Sequence, residues 1–355
     1  MIATVWRSAC GVFAVQRRIL GRYPTLLTSA ITAALPTARG PLSLAVLEAL
    51  TTDPSQSTPF SVAVDDAHPY GADLHLALYV CYELHYRGFA GVAGDWEWNV
   101  DLLRLRAAME RVFLGYVRDN VEPGEDAVAE MDALSREPVD GSGASYYLRD
   151  HGSWEQMREY FALRSLYHLK EADPHAWAIP RLTGQAKASF VAVEFDEYGG
   201  GRGDRVHQAL FADLLAAADL DSAYLGYIDH VPAEALATVN LMSLFGLRRS
   251  LRGAVVGHFA ATEITSSPGS KRLVGALERM AAPEPCIAFY AEHVEADAVH
   301  EQVLRHDVVG DLIAREPELA ADVVFGIRAG GFVEDKLSDY LLSAWEHGRT
   351  ALVTS

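Results

Sequence analysis

Residues 293–300 read HVEADAVH and place His293, Asp297 and His300 at i, i+4 and i+7, on one face of a helix with 3.6 residues per turn. Neutral imidazoles and a carboxylate are the ligand set that redox-active iron accepts. A sulfur-bound zinc site would need cysteines, and the chain has only Cys10, Cys81 and Cys286, with no CxxC pair. The zinc-protease spacing is excluded as well. In HEQVLRH, beginning at His300, the second histidine falls six residues on instead of the four that bring both imidazoles to one metal. The competing reading is the solvated face of an amphipathic helix. Against it, Ile287, Tyr290, Val294 and Ala298 form an adjoining apolar stripe, so the His/Asp face borders a buried seam.

A second cluster lies in VEFDEYGGGRGDRVH, residues 193–207, which offers Glu194, Asp196 and Glu197, three glycines, then His207. On an unbroken helix Glu197 and His207 would point roughly 80° apart, and the glycines can break the helix and reset that angle. A helix that stops at a glycine cap and restarts with solvated acids remains the alternative. No GxGxxG follows a strand here, and no P-loop occurs. Glu263 follows VVGHFAAT, beside His258, Phe259 and Ile264, where an unpaired charge is expensive and metal ligation would remove the cost. Glu171, in YHLKEADPHAW, closes a helix before Asp173 and Pro174, with a solvated helix end as its other reading; His168 and His175 read as capping or packing residues. Together Glu197, His207, Glu263, His293, Asp297 and His300, with Glu171 as a seventh, supply about what two iron ions need while leaving positions open for dioxygen.

Helical periodicity must carry these residues. From Pro41 onward it predicts helices near 73–87, 99–118, 154–170, 181–197, 204–218, 232–245, 253–264, 269–281, 285–304 and 331–348, with strand-like alternation nearly absent. The class expected is all-α. The acidic, Gly- and Ser-containing stretch 122–145 reads as a linker or boundary, dividing a helical region over 41–150 from a metal-binding domain over 151–355. Residues 1–40 contain arginines and no acid, and read as a flexible extension. A chain of 355 residues, half of them hydrophobic, can bury a large core. Its formal charge of −18 argues against nucleic acid as a partner, and no run of about 18 apolar residues spans a membrane. The cysteine usage fits a reducing cytoplasm.

The segments ALYVCYELHYRGF, LKEADPHAWAIPRLTGQAKA, EFDEYGGGRGDRVH, TVNLMSLFGLRR and HVEADAVHEQ resemble the haem-oxygenase-like di-iron oxidases and oxygenases, the iron-containing redox enzymes. The resemblance covers most of the chain from about residue 70. It rests on the order Glu, Glu-x9-His, Glu, His-x3-Asp-x2-His. It implies a haem-oxygenase-like helical bundle holding two irons, Fe(II) or Fe(III), with dioxygen as co-substrate, an external reductant, and a homodimer interface in 41–150. Glu197, His207, Glu263, His293, Asp297 and His300 match the six ligand positions, and Glu171 matches a further carboxylate of members that oxygenate amine nitrogens. That points to an N-oxygenase of natural-product biosynthesis acting on a small amino-acid-like amine. Arg181, Arg202 and Arg205 are the candidate cations for its carboxylate. Oxidative C–C cleavage, decarboxylation or desaturation, and a non-enzymatic ferritin-like iron-binding bundle, are the alternative expectations.

Overall fold

Apolar residues spaced for helices bury themselves as helices throughout. The computed structural model describes residues 32–138 and 141–353, and among the described residues there is no strand. Helix α1 (Pro41–Leu50) starts on a proline, whose missing N–H costs nothing in a first turn. Next come α2 (Ala72–Glu83) and α3 (Val100–Asn120), the latter capped by the Asn99 side chain on the amides of Asp101 and Leu102. Two short helices follow, α4 (Ala127–Leu134) and α5 (Ala144–Asp150). A Ser153/Gln156 capping box opens α6 (Trp154–His168). The chain then forms α7 (Asp173–Ala176), α8 (Gly184–Glu197), α9 (His207–Ala217) and α10 (Ala233–Leu247). It ends with α11 (Arg252–Arg279), α12 (Glu284–Gln302), α13 (Asp311–Arg315) and α14 (Ala320–Glu346).

Residues 33–355 form one compact unit. The 122–145 stretch, expected as a linker, supplies α4 and the start of α5, which pack on α11 and α14. Of the expected N-terminal extension, residues 1–31 lie outside the described residues. Arg39 is anchored, its guanidinium donating to the carbonyls of Ile228 and Val231 at 2.7 Å each. Among the described residues no helix is long and apolar enough to cross a membrane.

Proline reasoning divides 253–281 into two helices, yet α11 runs unbroken through Pro268. A proline removes one backbone bond and crowds the preceding turn. Here α12 and α14 flank the helix along its length, and the Ser267 hydroxyl donates to the Val294 carbonyl at 3.1 Å, so packing outweighs the local defect. The contact between α11 and α14 depends on glycine. A Cβ on Gly257 would run into the Val323 carbonyl, and one on Gly326 into the carbonyl of Ala254. That close crossing seats α11, which carries Glu263, and α11 in turn holds α12, which carries the His/Asp face. Past Gln302 α12 widens into a π turn over Val303–Gly310, whose Leu304, Val308 and Val309 are buried.

Candidate metal centre

Five segments deliver seven side chains to one place. Glu171 stands in the turn after α6, Glu197 ends α8, His207 begins α9, Glu263 lies midway along α11, and His293, Asp297 and His300 line one face of α12. All seven are buried, none more than 6% exposed. The glycines between Glu197 and His207 do what their sequence suggests. Gly199, Gly200 and Gly201 have φ of 72°, 61° and 82°, in the left-handed region, and the bare Cα of Gly199 leaves room for the backbone of Arg205. The chain doubles back, and Glu197 Oε2 comes within 2.7 Å of His207 Nδ1.

The donor atoms fall into two groups. Glu171, His207 and His293 form one, and Glu197, Glu263, Asp297 and His300 form the other, each able to place its ligand atoms within 4.8 Å of one another. In the first, Glu171 Oε1 is 3.8 Å from His293 Nε2 and Oε2 is 4.0 Å from His207 Nδ1. In the second, His300 Nδ1 lies 3.1 Å from Glu263 Oε2, 3.4 Å from Glu197 Oε1 and 3.6 Å from Asp297 Oδ1. Glu197 joins the groups, one oxygen toward His207 and the other toward His300.

These residues fit metal ions. Around an ion with bonds of about 2.1 Å, donors at right angles stand roughly 3 Å apart, which is the scale of these separations. Buried polar atoms ordinarily find hydrogen-bond partners, yet Glu171 Oε2, His293 Nε2 and both oxygens of Asp297 have none. Surrounding groups aim the imidazoles inward. The Nδ1–H of His293 donates to the Phe289 carbonyl at 2.7 Å, which turns Nε2 toward Glu171. The Nε2 of His300 faces Asp196 Oδ2 at 3.4 Å, so its Nδ1 points at the carboxylates. His168 holds Glu171 Oε1 from Nδ1 at 2.9 Å, an outer contact consistent with its reading as a packing residue. His175 stacks on Phe259 and shares a hydrogen bond of 3.1 Å with His258, outside the cluster.

Electrostatics point the same way. Four carboxylates lie in one buried volume, a formal charge that two divalent cations would cancel. Without cations, protons compensate. Burial penalises charge on His293, but Glu171, Asp297 and Glu197 outweigh it and push the imidazole up to about 10. His300 rises to about 11 against burial, through Asp297 and Glu263. Glu263 is pushed well above the carboxylate range by burial, then Asp297 and Glu197. Glu171 is held well below it, since His168 and His293 outweigh burial.

Some residues sit differently from expectation. Arg181 does not face the cluster; its guanidinium caps α10 through the carbonyls of Gly246 and Leu247. Arg205 pairs with Glu292 at the surface at 2.7 Å, and Arg202 is exposed in the glycine loop. A buried carboxylate carries a larger role than its sequence context suggests. Glu194, three residues before Glu197, is 2% exposed with both oxygens unpartnered, and burial followed by Glu197, Glu263 and Asp173 pushes it up to about 9. Its position one turn before Glu197, on the same helix face, was the available signal.

An all-helical bundle with buried His/carboxylate groups contributed by successive helices defines a metal-binding redox protein class. Residues 158–333, close to half of the chain, match the family of iron-containing redox enzymes, and the segment belongs to it. The described residues have a haem-oxygenase-like, all-α fold. A nitrosourea synthase of Streptomyces achromogenes subsp. streptozoticus is 23% identical over 232 residues, covering 63% of this chain and 49% of that protein. The chain therefore matches about half the length of this relative.

Proposed function

We propose that the protein is a dioxygen-dependent di-iron N-oxygenase acting on an amine of a small amino-acid-like substrate. The observation that carries this reading is Glu171. It completes the first ligand group with His207 and His293, where six ligands alone would leave that side two imidazoles and a share of Glu197. The similarity to a nitrosourea synthase supports nitrogen as the target. Two irons bound here would supply the redox chemistry for R–NH2 + O2 + 2e− + 2H+ → R–NHOH + H2O, with the electrons coming from an external reductant.

The chain's own residues set up that reaction. Glu171, His207 and His293 would hold one ion, and Glu263, Asp297 and His300 the other, with Glu197 between them. His168 steadies Glu171, the Phe289 carbonyl fixes the His293 ring, and Asp196 orients His300. Phe211 and Phe289 pack on the rings of His168 and His293, keeping water from the first ligand group. The test is turnover under 18O2 with Fe(II), a reductant and a panel of amino acids. An 18O-labelled hydroxylamine, lost in Glu171→Ala, is expected. Carboxyl loss or a new alkene without any N–O product would overturn the nitrogen assignment in favour of C–C or C–H oxidation.

A further inference from the structure

Tyr198 stands between the buried cluster and the solvent. It caps α8 immediately after Glu197, the carboxylate that turns one oxygen toward His207 and the other toward His300. Consecutive Cα atoms lie about 3.8 Å apart, so a short covalent path joins its ring to that carboxylate. The residue is half-buried and forms part of the wall of a surface cleft of about 520 Å³, with Tyr86, Asp173, Trp177, Ile179 and Pro180. Its backbone thus continues a proposed ligand, while its side chain meets a space that a small molecule can enter.

The hydroxyl has the partner that one-electron chemistry requires. A phenol gives up an electron readily only when its proton leaves at the same time, so a redox-active tyrosine needs a base within hydrogen-bond reach. Tyr198 Oη donates to Asp173 Oδ1 at 2.9 Å. Neighbouring tyrosines lack such a base. Tyr290, three residues before His293, has a buried hydroxyl with no partner among the described residues, and Tyr86 on the cleft wall shares a hydrogen bond of 3.0 Å with the Ser243 hydroxyl. Tyr224 does reach a carboxylate, Glu83, but the ammonium of Lys170 at 2.7 Å already neutralises it.

We propose that Tyr198 is a redox-active residue that relays single electrons from a reductant in the cleft to the metal centre, with Asp173 holding its proton meanwhile. The step balances as Tyr198–OH + Asp173–COO− → Tyr198–O• + Asp173–COOH + e−, the electron passing to a centre that dioxygen has oxidised. A one-electron donor in the cleft then restores the pair, Tyr198–O• + Asp173–COOH + e− → Tyr198–OH + Asp173–COO−, so one electron crosses per cycle. Two cycles deliver the two electrons that the proposed hydroxylation consumes. The inference rests on the reading of the cluster as an oxygen-consuming iron centre, and it holds whether nitrogen or carbon is the atom oxidised.

The radical is the readout. The chelator-treated full chain is loaded anaerobically with Fe(II), mixed with oxygen in the absence of reductant and substrate, and frozen at intervals for electron paramagnetic resonance and Mössbauer spectroscopy. Iron oxidation should be accompanied by an organic radical whose splitting collapses when ring-deuterated tyrosine is supplied. Incorporating 3-fluorotyrosine at position 198 keeps the hydroxyl and the packing of the ring, and should add a fluorine splitting to the signal. Tyr198→Phe should lose the signal. Asp173→Asn, which still accepts a hydrogen bond but cannot take the proton, should lose most of it, and Tyr290→Phe should keep it. Re-reduction of the oxygen-exposed iron by ascorbate should slow about tenfold or more in Tyr198→Phe. Iron that oxidises with no radical, a radical without the fluorine splitting, or equal re-reduction rates overturns the relay alone. Fe(II) that oxygen leaves unoxidised overturns the reading of the metal centre, and the relay with it.

Discussion

Glu194 is a buried acid outside the proposed ligand set, and it would gain from losing the ability to ionise. Its carboxyl is pushed from 4.5 up to about 9 by burial, then by Glu197, Glu263 and Asp173, and neither oxygen has a hydrogen-bond partner. Below pH 4.5 the folded and unfolded chains both hold the proton, so the group costs nothing. Between 4.5 and 9 the unfolded chain gives up the proton while the folded chain retains it, and stability falls as pH rises. At pH 7 the loss comes to about 3 kcal/mol, and at pH 5 to less than about 1 kcal/mol. Glutamine matches the protonated acid in shape and cannot ionise. Glu194→Gln should therefore stabilise the chelator-treated protein by about 3 kcal/mol at pH 7 and by little at pH 5. Urea unfolding at the two pH values measures the difference, with the denaturant slope checked for constancy. Loading with a divalent metal should shrink the gain, because nearby cations favour the ionised carboxylate. An equal effect at both pH values, or destabilisation at pH 7, would refute the reasoning.

Lys170 Nζ lies 2.7 Å from Glu83 Oε2, both residues no more than 1% exposed, with Tyr224 donating to both Glu83 oxygens. Lys170→Met strands a buried carboxylate and should cost about 3–5 kcal/mol in urea unfolding, with much of the loss recovered in Lys170→Met/Glu83→Leu; a double mutant no better than the single contradicts this. Gly257→Ala should cost about 1–3 kcal/mol by forcing α11 from α14, and an unchanged urea midpoint would show that the crossing tolerates a methyl group. His293 and His300 are raised to about 10 and about 11, so metal-free protein holds both charged at pH 7. Their contribution to metal-free stability is full below about 6.5 and disappears as pH rises through 10–11, while metal affinity climbs over that window. Calorimetry in buffers of different ionisation enthalpy should register at least two protons released per chain on metal loading at pH 7, and no release would mean that the imidazoles are already neutral.

The residues of the buried cluster were legible because helical spacing is local. His293, Asp297 and His300 share a face by arithmetic, and three glycines between Glu197 and His207 announce a reversal. Glu263 was legible as a charge among apolar neighbours. Where the ends of the chain's helices fall was harder to read. Pro268 suggests a break that lateral packing on α11 overrides, and the 122–145 stretch folds because α11 and α14 cover it, a fact that composition does not carry. Arg181, close to the ligands in sequence, instead serves the carbonyl end of α10. Proximity along the chain was a poor guide to charge placement here.

Anaerobic titration of the chelator-treated protein with Fe(II), followed by Mössbauer spectroscopy after exposure to oxygen, tests the two-metal assignment directly. The arrangement of Glu197 between the two ligand groups predicts about two irons per chain, spin-coupled after oxidation, and about one in Glu171→Ala. Saturation at one iron in the unaltered chain, or two irons without magnetic coupling, would contradict a bridged pair.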